Sequence, residues 1–376
     1  MSTILDLPVS EDLISSGGDN STQEKITGNE SVSNIYCPPK NYLAMAKERI
    51  FGYDALKAIS AFLVVLYHVF LIDFGYKEGE FYYPTIPLIL WLFIACSVPL
   101  FFMVNGALTV HRTYSFKTYM VKTARLLFIG IFWGLVLRLF FVVRYHDFSY
   151  FSSVSITRYW FFFTLALLYF LQFFLNKAPG WCKTLIIIAL LAFPFLNNLV
   201  WDVIIFVNPS VSMPSWGHSG FYTIYSLVYL YAGDYFAHRR YGKWCSIICL
   251  VMGLALLVFE AVAVTNHTHK QFDVGSYCLP TIGALLLSVA MFLIVKEWRP
   301  KSNTIRKWFT FLGNNSMGIY IIHILLLVVV RGMFPELKTM TFHPIIVLLI
   351  ALSYTVVSAL ISELIRKSPL AFLMKI

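Results

Sequence analysis

The sequence has little charge for a chain of its length. Only 13% of its 376 residues are charged, whereas soluble domains carry about 25%. Hydrophobic residues make up 59% of the chain and aromatic residues 17%. So few charges cannot cover a water-soluble globule of this size, which excludes a cytosolic enzyme, a disordered protein and a secreted disulfide scaffold. The composition therefore predicts a polytopic membrane protein.

Sequence patterns for metal ligation and for nucleic-acid binding are also lacking. The six cysteines are scattered, mostly in or beside apolar runs, and we interpret them as structural thiols. We predict no metal and no permanently bound cofactor. The 29 Lys and Arg residues outnumber the 19 Asp and Glu residues, but they lie in short segments between apolar runs. That distribution is typical of membrane topology signals, so we predict membrane lipids and no nucleic acid as partners.

Ten apolar runs have the length of about 20 residues that crosses a bilayer as a helix. Helices are the form available to them because every backbone polar group in lipid must be paired. We predict an all-α polytopic membrane protein with a polar, disordered N-terminal tail over 1–48, a ten-helix membrane domain over 49–366 and a cytoplasmic C-terminal tail over 367–376. The runs lie near 54–73, 86–108, 123–143, 157–175, 183–200, 221–237, 244–265, 278–296, 307–330 and 341–364.

The basic residues predict the orientation of these helices. When the N-terminus is placed in the cytoplasm, most Lys and Arg residues of the short connections fall on the cytoplasmic side. Short loops rich in Lys and Arg stay inside. We therefore predict a multi-pass protein of the cell membrane with both termini in the cytoplasm.

Four ionisable residues in different helices are predicted to lie at one depth. They are His68, Arg138, Glu260 and His323, each well beyond the cytoplasmic end of its helix. Ionisable groups inside a bilayer cost several kcal/mol unless they are paired or hydrated, so each marks a candidate functional site. Arg138 is equally well explained as a structural partner of Glu260 or as a substrate ligand.

Two further polar groups lie on these helices. Asp54 is expected to cap the first helix, and Lys57 can either serve a site or extend its amine to the inner headgroups. Ser316, Tyr320 and His323 share one face of the ninth helix. Because this face is polar on an otherwise apolar helix, we expect it to line a cavity or another helix.

Five segments occur in order along the chain: Lys57 to His68, Phe-Phe-Met-Val-Asn105-Gly106, Lys122-Thr-Ala-Arg125, Tyr-Trp-Phe at 159–161, and Ser316 to His323. In this order they resemble the integral-membrane acyltransferase family called acyltransferase type 3, which includes O-antigen and exopolysaccharide O-acetyltransferases. Ten residues separate Lys57 from His68, the same spacing as between the basic residue and the His of that family's first helix. The segment Lys122-Thr-Ala-Arg125 is similar to its Arg-x-x-Arg pair, with Lys in the first position.

Three more segments carry the same resemblance. Phe-Phe-Met-Val-Asn105-Gly106 is similar to the family's Phe-Phe-x-x-Ser-Gly, with Asn105 in place of Ser. Tyr-Trp-Phe at 159–161 resembles its Leu-Trp-Phe element, and the Ser316 to His323 phrase resembles its ninth-helix signature. The similarity spans about residues 50–325, and ten helices is the family's usual number.

The resemblance implies transfer of an acetyl group from cytosolic acetyl-CoA to a hydroxyl of an envelope or secreted glycan or lipid-linked sugar. It implies phosphate binding by Lys57, Lys122 and Arg125. A hydroxyl acceptor needs a base, and a histidine suits this task because its pKa lies near neutrality. We assign His68 as general base or as covalent acyl carrier. The further catalytic candidates are Glu260 and His323, and the supporting polar residues are Asn105, Arg138, Ser316 and Tyr320.

An outer loop over 201–220 is the expected acceptor site. It contains Trp201, Asp202, Trp216 and His218 and no Lys or Arg. Aromatic faces and carboxylates suit a sugar ring, although an interfacial aromatic belt explains the same residues equally well.

Two other classes of function compete with the acyltransferase. A transporter or lipid-linked glycan flippase would use Arg138, Glu260 and His323 as a relay, but the inverted repeats and broken helices typical of transporters are not visible in the sequence. A non-catalytic scaffold would not need four ionisable groups at one depth.

Overall fold

The computed structural model describes residues 50–70, 76–77, 80–81, 88–153, 156–212, 224–268, 280–334 and 344–374. The predicted N-terminal tail lies outside these residues. The predicted all-α class is confirmed, since helices dominate the described chain. The exception is a short antiparallel pair formed by β1 (Tyr76–Lys77) and β2 (Glu80–Phe81).

Fourteen α-helices are described, and every predicted apolar run coincides with at least one of them. They are α1 Phe51–Val69, α2 Leu88–Phe93, α3 Ser97–Thr109, α4 Phe116–Tyr145, α5 Ser149–Ser153, α6 Trp160–Lys177, α7 Gly180–Leu190, α8 Asn197–Val207, α9 Ser226–Ala237, α10 Lys243–Thr268, α11 Ile282–Lys296, α12 Asn303–Asn314, α13 Ser316–Met333 and α14 Pro344–Lys367. Short 3₁₀ turns connect α2 to α3, precede α6 and follow α14, and a π-helical turn containing Pro194 joins α7 to α8.

In the described part of the chain, eight helical segments are long and apolar enough to cross a membrane. They include Trp91–Thr109, where α2 continues into α3, and the 28-residue Gly180–Val207, where α7 continues into α8. Within the described residues α9 and α11 are shorter. Large apolar side chains such as Val143, Phe193 and Ile345 are exposed on the outer helices, as expected where helices face lipid. The polytopic membrane architecture is thereby confirmed.

The predicted run 307–330 is wrong as a single helix, because the chain forms two helices there. Ser302 caps the start of α12 by accepting a hydrogen bond from the Ile305 amide, and α12 ends before Asn315. The exposed basic residues Arg306 and Lys307 make α12 amphipathic. His323 is consequently only seven residues beyond the start of its own helix, α13. The number of residues from the helix start therefore no longer places His323 at the same depth as His68, Arg138 and Glu260.

Helix α1 lies inside the bundle, where it packs against α3, α11, α12, α13 and α14. Gly313 of α12 rests on the backbone of Asp54, where a larger residue would collide. Asp54 does not cap α1, because the cap position is Ile50. Asp54 instead lies buried in the first turn, with its Oδ1 3.3 Å from Lys57 Nζ. This central position places the polar residues of α1 within the protein.

The end of the chain is packed against the bundle. The predicted tail after residue 366 includes the last residue of α14 and a 3₁₀ turn over Pro369–Leu373. Leu373 and Met374 are buried. These residues therefore contribute to the membrane domain.

Candidate active site

The two histidines predicted at membrane depth lie side by side. His323 Nε2 on α13 is 3.4 Å from His68 Nδ1 on α1, and the ring centroids are 5.0 Å apart. The packing of α1 against α13 joins residues 255 positions apart in the sequence. His323 is completely buried and His68 is half-buried. The accessible surface of the pair therefore belongs to His68.

Backbone carbonyls determine which ring nitrogens carry protons. His68 Nδ1 is 2.9 Å from the Val64 carbonyl and His323 Nδ1 is 2.8 Å from the Ile319 carbonyl. A carbonyl oxygen only accepts, so Nδ1 of each neutral ring is the donor. His323 Nε2 is then an acceptor facing the Nδ1–H of His68. In this arrangement Nε2 of His68 keeps its lone pair and is the basic atom of the pair.

Aromatic rings surround the histidine pair. Tyr67 stands edge-on to His68, with centroids 5.2 Å apart, and Trp91 packs on Tyr67. Tyr320 is buried, 5.9 Å from the His323 ring and 5.1 Å from Phe161. Tyr67 and Trp91 were not predicted as site residues, because neither stands out from the apolar run that contains it.

Asn105 and Gly106 have local structural roles in α3. Asn105 Nδ2 donates to the Phe101 carbonyl of its own helix at 2.8 Å. Gly106 rests on the Leu230 carbonyl of α9, so the glycine allows α3 and α9 to approach closely. Ser316 is buried at the start of α13. The Asn-Gly motif therefore has a packing explanation in this chain.

One predicted cation lies in an aromatic setting at the α3–α4 connection. Lys122 Nζ is 3.7 Å from the ring centroid of Tyr114 and 5.7 Å from that of Tyr169. Burial by itself raises the pKa of Tyr114, but hydrogen bonds and positive charge from Arg112 and Lys122 together lower it below its usual value. This setting therefore concentrates positive charge, which suits an anion.

The other two predicted cations are linked to the ends of neighbouring helices. Arg125 is exposed and its Nη2 donates to the Phe372 carbonyl after α14, at 3.3 Å. Lys57 pairs with Asp54, whose backbone contacts the C-terminal end of α12. Asn315, directly after α12, belongs to a polar network that was not predicted from the sequence. Its Nδ2 donates to Glu363 Oε2 of α14 at 3.2 Å. These contacts place Lys57 and Arg125 at the same end of the bundle.

A comparison with protein families agrees with this arrangement. The family model described as an acyltransferase domain matches residues 50–364. The chain belongs to the acyltransferase type 3 family. Searches of curated proteins and of solved structures gave no match. The match contains the histidine pair and all three predicted cations, so the resemblance noted from sequence motifs is confirmed and the protein is a membrane acyltransferase.

The first residues of the segment predicted as an outer acceptor loop, 201–220, are helical. Trp201 and Asp202 are helical, because the apolar run that forms α8 continues to Val207. Asp202 is 2% exposed and therefore does not face an external acceptor. Trp216 and His218 lie outside the described residues.

Asp202 instead lies near Glu260 of α10. Glu260 is 3% exposed, and Asp202 is its acidic neighbour, while Thr281 at the start of α11 provides a hydrogen bond. Among the described residues, Glu260 Oε1 has no hydrogen-bond partner. The catalytic role assigned to Glu260 stays a prediction.

Arg138 on α4 is half-buried and its guanidinium carbon lies 5.5 Å from the ring centroid of Phe151 on α5. The acidic neighbour of Glu260 is Asp202. The structure thus brings His68 to His323 and Asp202 to Glu260, and it places Arg138 beside Phe151 of α5.

Proposed function

We propose that this membrane acyltransferase transfers an acetyl group from acetyl-CoA to a hydroxyl of an envelope or secreted glycan, with His68 as the general base. The observation that supports it most directly is the contact between His68 and His323 at 3.4 Å, with each Nδ1 directed at a backbone carbonyl. This arrangement leaves a basic Nε2 on the half-buried ring.

The reaction needs one proton transfer in each direction. His68 Nε2 accepts the proton of the acceptor hydroxyl while the hydroxyl oxygen attacks the thioester carbonyl carbon. The carbon–sulfur bond then breaks, and His68 returns the proton to the departing CoA thiolate. His323 acts as a positioning residue, because its Nε2 faces the Nδ1–H of His68 and favours the ring orientation that the reaction needs.

Acetyl-CoA is expected at the end of the bundle where Lys57 and Arg125 lie, with Lys122 at the start of α4 as the third cation. Phosphate groups bind arginine through paired hydrogen bonds and lysine as a point charge. Along α1, Lys57 and His68 are separated by eleven residues, or about 16 Å at 1.5 Å per residue. An elongated donor such as acetyl-CoA suits this separation between the phosphate-binding cations and the base.

The test uses the full chain purified in lipid nanodiscs. Labelled acetyl-CoA is the donor, and surface glycan from cells that lack the protein is the acceptor. Label in the glycan and its O-acetyl signals by NMR are measured for wild type and for His68→Ala. We expect the rate to fall by about 10²- to 10⁴-fold in His68→Ala, the usual contribution of a general base.

His146→Asn is the matched control. His146 is an exposed histidine with a φ of 52°, and asparagine tolerates that backbone conformation. The control should acetylate as wild type does. Full activity of His68→Ala would overturn the proposed base, and absence of labelled glycan with the wild-type protein would overturn the proposed substrates.

A further inference from the structure

Three side chains of metal-binding type, His111, Asp234 and His238, meet at the ends of α3 and α9. His111 Nε2 is 2.7 Å from His238 Nδ1 and 2.7 Å from Asp234 Oδ1, and His238 Nδ1 is 3.8 Å from the same oxygen. Their ligand atoms all lie within 4.8 Å of one another. Neither the sequence motifs nor the proposed acyl transfer uses this group.

The cluster also contacts the backbone. His238 Nδ1 is 2.9 Å from the backbone carbonyl of Asp234, so without a metal this nitrogen carries the proton, and zinc would bind the other tautomer of the ring, with its proton on Nε2. Among the described residues, the buried Asp234 Oδ1 accepts no hydrogen bond, although a ring nitrogen lies 2.7 Å away. Three potential ligand atoms, two imidazole nitrogens and one carboxylate oxygen, therefore converge on one place, and a single cation there would contact all three.

The surrounding backbone holds these ligands in place. Asp234 and His238 are four residues apart and so lie on one face at the end of α9. Gly233 rests on the Met103 carbonyl, which brings α9 directly against α3. Lys296 Nζ donates to the carbonyls of Phe236 and Arg239, at 2.7 Å each, and thereby fixes the chain around His238. A site held in this way needs little rearrangement to bind a metal.

We propose that His111, Asp234 and His238 bind a zinc ion. Two imidazole nitrogens with one carboxylate form a zinc donor set, whereas Mg²⁺ and Ca²⁺ prefer oxygen ligands alone. Tetrahedral zinc with bonds of about 2.0 Å separates its ligand atoms by about 3.3 Å. The observed separations of 2.7, 2.7 and 3.8 Å bracket that value. Small side-chain rotations would complete three of the four ligand positions, and water would take the fourth.

Zinc at this site would fasten the α3–α4 connection to the end of α9. That connection also carries Tyr114, which interacts with both Arg112 and Lys122. The sequence analysis predicted no metal because His111 and His238 are 127 positions apart, so no local spacing reveals the cluster. The proposal concerns zinc binding itself and does not depend on the identity of the acyl donor or acceptor.

The test is a zinc titration of the full chain. The protein is purified without a histidine tag, stripped with a chelator and titrated with Zn²⁺ alone in competition with an indicator chelator. Bound zinc is counted by elemental analysis. We expect one zinc ion per chain, a higher melting temperature with zinc than without, and no displacement by excess Mg²⁺. Cobalt in place of zinc should give the visible absorption of a nitrogen–oxygen site.

Removal of a residue that only supports a metal ligand weakens metal binding by roughly 10- to 100-fold. We expect a larger loss of zinc affinity for each ligand substitution, Asp234→Asn, His111→Gln and His238→Gln. His146→Asn again supplies the control with one histidine fewer outside the cluster, and it should bind as wild type does. Equal zinc affinity of Asp234→Asn and wild type would overturn the proposed ligand set. If a variant fails to fold, the wild type still decides: wild-type protein that binds less than one equivalent, or gains no melting temperature with zinc, contradicts the site.

Discussion

The contact between His68 and His323 makes a quantitative prediction about how their substitutions combine. Replacing His68 by Ala removes the base and should cost about 10²- to 10⁴-fold in kcat, or about 3–5 kcal/mol of barrier. Replacing His323 by Phe keeps a ring in the buried space but removes both nitrogens. Its Nε2 contacts His68 Nδ1 at 3.4 Å, a long hydrogen bond, so its loss should cost about 0.5–1.5 kcal/mol, or about 2- to 13-fold in kcat.

The double variant separates positioning from direct catalysis. If His323 acts through His68, its replacement has nothing further to disturb once His68 is alanine. We therefore expect the double variant to be as active as His68→Ala alone, with a coupling energy equal to the whole effect of His323→Phe. We also expect His323→Phe to lower kcat while KM for acetyl-CoA is unchanged, and His323→Gln, which can still accept a hydrogen bond, to recover part of the rate.

The assay is transfer of labelled acetyl to surface glycan by the four proteins in nanodiscs, each measured across acetyl-CoA concentrations. Melting temperatures of the same preparations show whether the buried substitution disturbs the fold. Additive losses in the double variant would refute the reasoning, since they would mean that His323 acts independently of His68. An effect of His323→Phe confined to KM would refute it as well.

Three further predictions concern the surroundings of the site. Gly106→Ala should lower the melting temperature, because the added methyl meets the Leu230 carbonyl and overpacking costs about 1–3 kcal/mol, whereas Gly180→Ala, in open space, should not. Lys122→Gln should weaken acetyl-CoA binding measured by calorimetry, because it removes a cation from the proposed phosphate site; unchanged affinity would leave Lys122 as a topology signal alone. Glu260→Gln should leave the melting temperature unchanged or higher, because burial and the neighbouring Asp202 both disfavour an ionised carboxylate, and glutamine cannot ionise; a marked loss of stability in circular dichroism melts would contradict this.

Local sequence patterns were sufficient for the helices and for the residues that share one helix. The apolar runs predicted the spanning segments because burial in lipid requires a continuous apolar length, and this signal does not depend on distant residues. The shared face of Ser316, Tyr320 and His323 followed from helical periodicity. The length of an apolar run does not show whether one helix or two helices form within it. The boundary at Asn315 between α12 and α13 was therefore not predicted.

Only the tertiary structure decided which of these residues meet. It joined His68 to His323 and identified Nε2 of His68 as the basic atom through the carbonyls of Val64 and Ile319. It also moved Asp202 from an expected loop to a buried position beside Glu260.

The sequence by itself thus predicted a helical membrane protein from composition and periodicity, and the resemblance of its motifs to a known family predicted the family and the candidate catalytic histidines. The structure alone decided the partners of each polar group, including the cluster of His111, Asp234 and His238. The physical reason is that helix packing brings together residues more than a hundred positions apart, and a spacing rule along the chain carries no information about such contacts.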